Sequence, residues 1–491
     1  MEAWSINRYV RPQLAGDVFI LARDASLEIT RNGHRRVIEV DDAEAAREIH
    51  NVLDGLRDPN SQEWLNIRAE VSSEPWQALV RHLDEWSLIE DAASIHATAA
   101  AASAEESRER CTSELLMNVE SRVPADARSE LSNEAARWLS LLTEDPSGAL
   151  AWNDPGFYRS VGLIALGRLR KSNPPAFLAA VNALATLAGE GEDATHQLSG
   201  DACVTFYSVS AMRQHLSAIA DLLVNSLNTN TARLCRPASA RPLPLSGTAF
   251  QNDVEQALRT HAVQVGKSRF VDSLAGISSA QAPLAIGCHV EEFHVTRRFV
   301  EMITPLMHLD LSGPMRALVY RYFAEEVGHE RFERDTCLAC GVDETSLEAS
   351  APLPLHVAFV DVFTQLAVMD PVAFFAAVPI TEGMLGENSP VNVRLDQLMP
   401  EDAVARRVYR RHEQLNIDLN HASIARLALQ LVPAVSPQQQ QRALNALALV
   451  FELNFRAWEA LTDFYGDQLE LRLPLPFDRD LPRNQDPMRL Q

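Results

Sequence analysis

The chain has 491 residues, 46% hydrophobic and 22% charged, with a formal net charge of -22. That length exceeds one ordinary core and implies two to four domains of globular composition. The acidic surplus, with no basic run, excludes a nucleic-acid partner, because a polyanion would be repelled. No apolar stretch of about 18 residues lacks a charge, so no membrane span is expected. The start, Met1-Glu2-Ala3-Trp4-Ser5, lacks the basic flank and apolar core of a signal peptide. Six cysteines do not make a disulfide framework. A cytoplasmic location is expected.

Residues 1–92 read as a small α+β domain that starts near residue 10. Val18–Leu21 and Leu27–Thr30 have strand character, Asn32-Gly33 is a hairpin turn, and Val37–Val40 is the returning strand. Asp41-Asp42 can cap a helix whose apolar positions Ile49, Val52, Leu53 and Leu56 keep helical spacing. A further helix is predicted over 74–86, with Trp76, Val80 and Leu83 inward. Three strands followed by helices, ending in LDEWSLIED, resemble a winged-helix fold. More narrowly they resemble the peptide-recognition domain of ribosomal-peptide pathways, whose prototype is the pyrroloquinoline-quinone peptide chaperone. That resemblance implies a leader peptide added as a strand at the sheet edge.

Residues 93–228 read as a helical domain without evident metal ligands, entered through an Ala- and Ser-rich stretch at 92–108. Amphipathic segments such as NEAARWLSLL and FLAAVNALATLAG give it a packing role. His196 and His215 stand apart from any carboxylate partner. Residues 229–249 contain RPASARPLPLSG, a Pro-rich linker that cannot continue a helix.

The chemistry-bearing residues lie in 250–470, ahead of a C-terminal tail at 471–491. Glu325 and Glu326 precede His329 by four and three residues, so either shares a helical face with it. Asp418 and His421 are three apart, and Gln414 is four before Asp418. Residues 414, 418 and 421 therefore form one stripe, and His412 falls off it. Carboxylates neutralise cations while imidazoles add neutral nitrogen ligands, and helix bundles build such sites across their cores. Glu291-x-x-His294 has the same spacing, with Glu292 beside it. His308 and His356 have no such partner. Cys337 and Cys340 form a CxxC without the strand context of a redox motif or a second zinc-ligand pair, and read as helix packing.

From Phe250 to Gly466 the order of features resembles the haem-oxygenase-like diiron oxidases. The segments carrying this are SRFVDSLAGISSAQAPLAIGCHVEEFHVTRRFVEMI, YRYFAEEVGHERFERDTCLACGVD, FFAAVPITEGMLG and RRHEQLNIDLNHASIARLAL. The resemblance implies a mainly α protein whose C-terminal domain is a haem-oxygenase-like helical bundle. It implies two Fe(II) ions per chain with O2 as co-substrate. The implied metal ligands are Glu325 or Glu326, His329, Glu382, Asp418 and His421. The usual last motif is His-x3-Asp-x2-His, whose first His falls on Gln414 here. Glu291, Glu292, His294 and His412 are expected in the substrate pocket or behind the ligands. The expected function is a nonhaem oxidase or oxygenase acting on an amino-acid-derived or peptide substrate in natural-product biosynthesis. A haem oxygenase and a non-catalytic peptide binder with a decayed metal site are the alternatives. Homodimerisation is left open.

Overall fold

The computed structural model describes residues 12–14, 18–31, 34–55, 57, 82–83, 85–86, 88–91, 108–190, 209–227, 232–383 and 389–472. They fall into two compact units, Met1–Glu106 and Ser107–Gln491. The protein is mainly helical, with a small antiparallel sheet near the N-terminus.

In the first unit, β1 (Pro12–Leu14) pairs with β5 (Ile89–Asp91). β2 (Val18–Arg23), β3 (Ser26–Arg31) and β4 (His34–Glu39) form an antiparallel meander in which Leu21, Glu28 and Val37 lie side by side. Alternation sends Val18, Leu27 and Ile29 inward and leaves Phe19, Leu21 and Val37 exposed. Helix α1 (Ala43–Gly55) packs on β2 and β3 and buries Ala46 and Leu53. Asp42 starts it, its Oδ1 accepting from the Glu44 and Ala45 N–H groups at 2.8 and 2.9 Å. The three expected strands are thus present. The Asn32-Gly33 turn, most of the helix predicted over 74–86, nearly all of the 92–108 stretch and His196 lie outside the described residues.

The second unit is helical. Its helices used below are α2 (Arg128–Glu144), α3 (Phe157–Ser172), α4 (Pro174–Ala188), α5 (Val209–Ser226), α6 (Gly247–Val265), α7 (Pro283–Arg297), α8 (Gly313–Glu326), α9 (Glu330–Ala339), α10 (Pro354–Met369), α11 (Pro371–Ala377), α12 (Val404–Leu419) and α13 (Pro437–Tyr465). Their ends follow capping chemistry. Ser436 and Gln439 form a capping box before α13, with Pro437 at its first position. Asn173 caps α4, and Gly189 closes it at φ 73°. Gly162 lets α2 and α3 meet: a β-carbon there would sit 2.0 Å from the Trp138 ring.

The middle helices share one apolar core with the C-terminal ones. Trp138, Phe177 and Leu222 belong to the same buried cluster as Phe363, Phe374 and Leu447. Charge also crosses between them. Asp361 on α10 takes Arg298 at 2.7 Å, Arg168 of α3 at 3.2 Å and His215 of α5 at 3.0 Å. His215 therefore has a buried carboxylate partner that its sequence neighbourhood does not reveal. The described part of the Pro-rich segment lies along the start of α13. Gln440 accepts from the Arg241 N–H at 2.9 Å and donates to the Leu243 carbonyl at 3.0 Å. A smaller apolar cluster joins α7, α9, α12 and α13 through Cys288, Phe293, Cys337, Cys340, Tyr409 and Tyr465. Burial pushes the Cys340 thiol up to about 11 and raises that of Cys337. The CxxC thus packs as two inert thiols.

Candidate metal centre

The residues that converge stand at helix ends rather than along helical faces. α8 stops at Glu326, Gly328 turns the chain at φ 90°, and His329 opens α9. α12 stops at Leu419, Asn420 adopts φ 56°, and His421 begins a short turn of 3-10 helix. Glu382 is the last residue of the four-residue helix Pro379–Glu382. Each turn redirects one side chain into a common pocket.

There the geometry is tight. His329 Nδ1 lies 2.9 Å from Glu326 Oε2. His421 Nδ1 is 3.3 Å from Glu326 Oε1 and 3.4 Å from Glu382 Oε2. Its Nε2 is 3.6 Å from Glu325 Oε2. Tyr322, on α8, donates its hydroxyl to Glu382 Oε1 at 2.6 Å. Glu326, His329 and His421 are only 2–4% exposed. The two candidate glutamates differ in one respect. Glu325 shares its charge with Arg321 at 3.3 Å, whereas Glu326 faces only the pocket imidazoles and Glu382. Glu326 is therefore the better placed of the two to face a cation.

The pocket sets buried carboxylates against imidazoles. Burial, with the nearby Glu382 charge, raises the Glu326 carboxyl above its ordinary range. Burial also pulls the His421 imidazole down, but Glu382, Glu326 and Glu325 outweigh it and leave it raised. Glu325 Oε2, Glu326 Oε1, His329 Nε2 and His421 Nε2 are buried without a hydrogen-bond partner. Buried polar atoms normally find partners, so these four are donor atoms that a cation could take up. Glu326, Glu382 and His421 offer donor atoms that all lie within 4.8 Å of one another. Two carboxylates with imidazole nitrogens suit a divalent transition metal such as iron.

The other sequence candidates are placed as follows. Gln414 lies on the exposed side of α12, while His412 points inward, 2.7 Å from Glu333 Oε1. This reverses the expected roles of the two positions. The stripe through 414, 418 and 421 assumes one continuous helix, and Asn420 ends that helix before His421. Asp418 is helical, but its side chain lies outside the described residues. Glu291 and His294 do not converge on a metal. Glu291 accepts from the Leu353 N–H at 2.8 Å and the Tyr465 hydroxyl at 3.0 Å, while His294 bonds Ser350 at 2.8 Å. His356 lies 3.4 Å from Glu291. His308 is partly exposed at the end of a 3-10 turn. Glu292 points to a different group with His289 and Glu333. Sequence reading missed both of these last residues, though His289 is three before Glu292 and Glu333 four after His329. Tyr322 carries no sequence signal beyond its place one turn before Glu326.

Residues 289–455, which hold every residue of both groups, match the model of a family described as iron-containing redox enzyme. That match supports an oxidoreductase, and iron is the metal it implies. The chain is also similar to a solved structure described as a domain of unknown function with a heme oxygenase-like fold, from Shewanella denitrificans OS217. The TM-score is 0.38 and the identity 16%, over 45% of this chain and 94% of that one. No curated protein matches the chain. Among the described residues no helix is long and apolar enough to cross a membrane.

Proposed function

We propose that the chain is a nonhaem iron-dependent oxidase or oxygenase that uses O2. Glu326, His329, Glu382 and His421 would hold the iron, with Glu325 beside them and Asp418 added on the sequence resemblance alone. The observation that carries this is the set of unpartnered, buried oxygen and nitrogen atoms in that pocket. When bound, iron supplies the electron transfer to O2 that side chains cannot perform.

The chain's own residues do the rest. Glu326 and Glu382 offset the cation's charge, and the imidazoles add neutral nitrogen donors. The Tyr322 hydroxyl fixes one oxygen of Glu382, leaving the other turned toward His421. Burial and the Glu382 charge hold that phenol far above its ordinary titration range, so it remains a donor at any workable pH. Near-complete burial of Glu326 and His421 excludes bulk water from the reacting face.

The substrate class we propose is an amino-acid-derived molecule or a peptide, modified by hydroxylation, desaturation, C–C cleavage or N-oxygenation in natural-product biosynthesis. The sheet of the first unit supports a peptide. The β2 carbonyls of Val18 and Ile20 are already engaged by Arg57 and His50, at 2.8 and 3.3 Å. β4 is then the edge at which a leader peptide would add as a strand, beside the exposed Val37. The test of the iron reading is anaerobic Fe(II) loading followed by O2 uptake. His329→Ala and Glu382→Ala should each lower bound iron and abolish uptake. Full iron occupancy in the Glu382→Ala protein would overturn the assignment.

A further inference from the structure

We propose that the surface over the candidate iron pocket docks a small acidic one-electron carrier of the iron–sulfur protein class. The carrier's role rests on the iron reading above, but the surface rests on its own charge and exposure. The chain has a formal net charge of -22, yet along α8, α12 and the turn into α9 the sign reverses. The exposed charged side chains of residues 313–334 and 404–420 are Arg316, Arg321, Arg331, Arg407, Arg410 and Arg411, with no exposed acid among the described residues there. Four of them have local partners. Arg316 lies 3.6 Å from Asp310, Arg321 3.3 Å from Glu325 and Arg410 2.7 Å from Asp396, while Arg407 donates to the Asp402 carbonyl at 2.7 Å. Arg331 and Arg411 have no carboxylate partner among the described residues. Val327 and Ile417 add apolar surface, 59% and 69% exposed. Arginines around exposed apolar side chains are the composition of a protein-docking surface.

Short chains of contact join this surface to the pocket. The Arg411 guanidinium sits 5.7 Å from the Phe332 ring, and that ring stacks on His412 at 5.4 Å with planes 4° apart. His412 is in turn 5.3 Å from His329. Arg321 reaches the pocket through Glu325, whose Oε2 lies 3.6 Å from His421. Arg331 stands beside the Gly328 turn that delivers His329, its Nε 3.9 Å from where a β-carbon on Gly328 would lie. Inserting one oxygen atom of O2 into a C–H bond consumes two protons and two electrons and releases one water. A one-electron carrier supplies the pair in two encounters and leaves each time oxidised by one electron. Electron-transfer encounters use small interfaces and are steered by charge. An acidic carrier is repelled by most of this chain and attracted here. A nucleic acid, longer than the patch, would meet the acidic remainder.

The experiment titrates the full chain, before and after iron loading, with an acidic plant-type [2Fe–2S] ferredoxin in a calorimeter. It is run at low salt, where charge acts over about 30 Å rather than the roughly 8 Å of physiological salt. Binding should weaken as salt is added. It should fall at least about tenfold in the Arg331→Glu, Arg411→Glu double variant, and be unchanged in Arg236→Glu, an exposed arginine outside the patch. Oxidation of reduced ferredoxin by the Fe(III)-loaded chain, followed at the ferredoxin's visible band, should slow by the same factor. Reduction by dithionite, which needs no docking, should keep its rate. Iron retention and circular dichroism of the double variant should match the wild type. Ferredoxin binding that is absent in the wild type, or equal in the double variant, would overturn the docking surface. So would a chain that dimerises in gel filtration and loses its dimer in the double variant, which would give this face to a second copy. A chain that binds ferredoxin but retains no iron would instead sink the iron reading and leave the surface standing.

Discussion

Tyr322→Phe isolates the contribution of one hydroxyl to the proposed iron site. The ring is 1% exposed and packs edge-on against Phe299 and His421, with centroids 6.2 and 6.1 Å away. Phenylalanine keeps those contacts, so what is lost is the hydroxyl's hydrogen bonding, chiefly the 2.6 Å bond to Glu382 Oε1. The remaining neighbour of that oxygen is Thr381 Oγ1 at 3.5 Å, too long to substitute. A hydrogen bond to a charged group contributes about 1.5–3 kcal/mol. At about 1.4 kcal/mol per tenfold, Fe(II) affinity should fall roughly 10- to 100-fold, the range seen when groups behind a metal ligand are removed. The assay is anaerobic Fe(II) titration against a competing chelator, with circular dichroism to confirm folding. The loss should be the same at pH 6.5 and pH 8.5, because the phenol stays protonated across that interval. An affinity within twofold of the wild type would refute the argument, showing that Glu382 is not a ligand or that its orientation is set elsewhere.

Three other outcomes follow from the same geometry. Gln414→His should leave iron stoichiometry unchanged, because position 414 faces outward, and a gain of one ion in the loaded protein would show that this position reaches the pocket. Asp361→Asn should destabilise the chain by roughly 3–5 kcal/mol, since it removes the buried charge that pairs with His215 and that Arg168 and Arg298 share with Glu301. Although burial alone would raise it, those partners hold the Asp361 carboxyl well below its ordinary value. Its contribution is therefore fully present above the unfolded carboxylate range and lost only in strong acid. Urea unfolding at pH 7 checks this, and a change under 1 kcal/mol would count against the shared core. Val37→Pro removes a strand N–H from β4, and on the proposed peptide role should abolish binding of a leader peptide while iron content stays at the wild-type level. Unaltered binding in a calorimetric titration would place the peptide elsewhere.

The described strands and helix of the first unit were legible because their signals are local. Period-two alternation around Val18, Leu27 and Ile29, with Asp42 as a cap, needs no knowledge of distant residues. The middle helices were legible as helices but not as part of the C-terminal body. Arg168, His215 and Asp361 lie in three separate segments, and nothing near any one of them in the chain announces the others. Helix assignment reads each segment alone, whereas a shared core is a property of their faces together.

The candidate metal pocket shows where helical spacing brings the right pair together on the wrong backbone. Glu326 and His329 were paired as neighbours on one helical face. They do meet, at 2.9 Å, but across a break between α8 and α9 that Gly328 makes possible. A turn of three residues and a helical turn of three residues bring side chains to similar separations, so the pairing survives the wrong backbone. The same assumption failed at α12. There the inference ran over seven residues, from 414 to 421, and the left-handed Asn420 near its end left Gln414 on the outer face and turned His421 onto a new axis. Error in a helical-stripe argument thus grows with the number of residues it spans. Asn followed by His at the end of an amphipathic run was the available warning, because asparagine is the non-glycine residue that most readily takes the conformation ending a helix. Read with that stop in place, His412 belongs with Glu333 and His421 with Glu382.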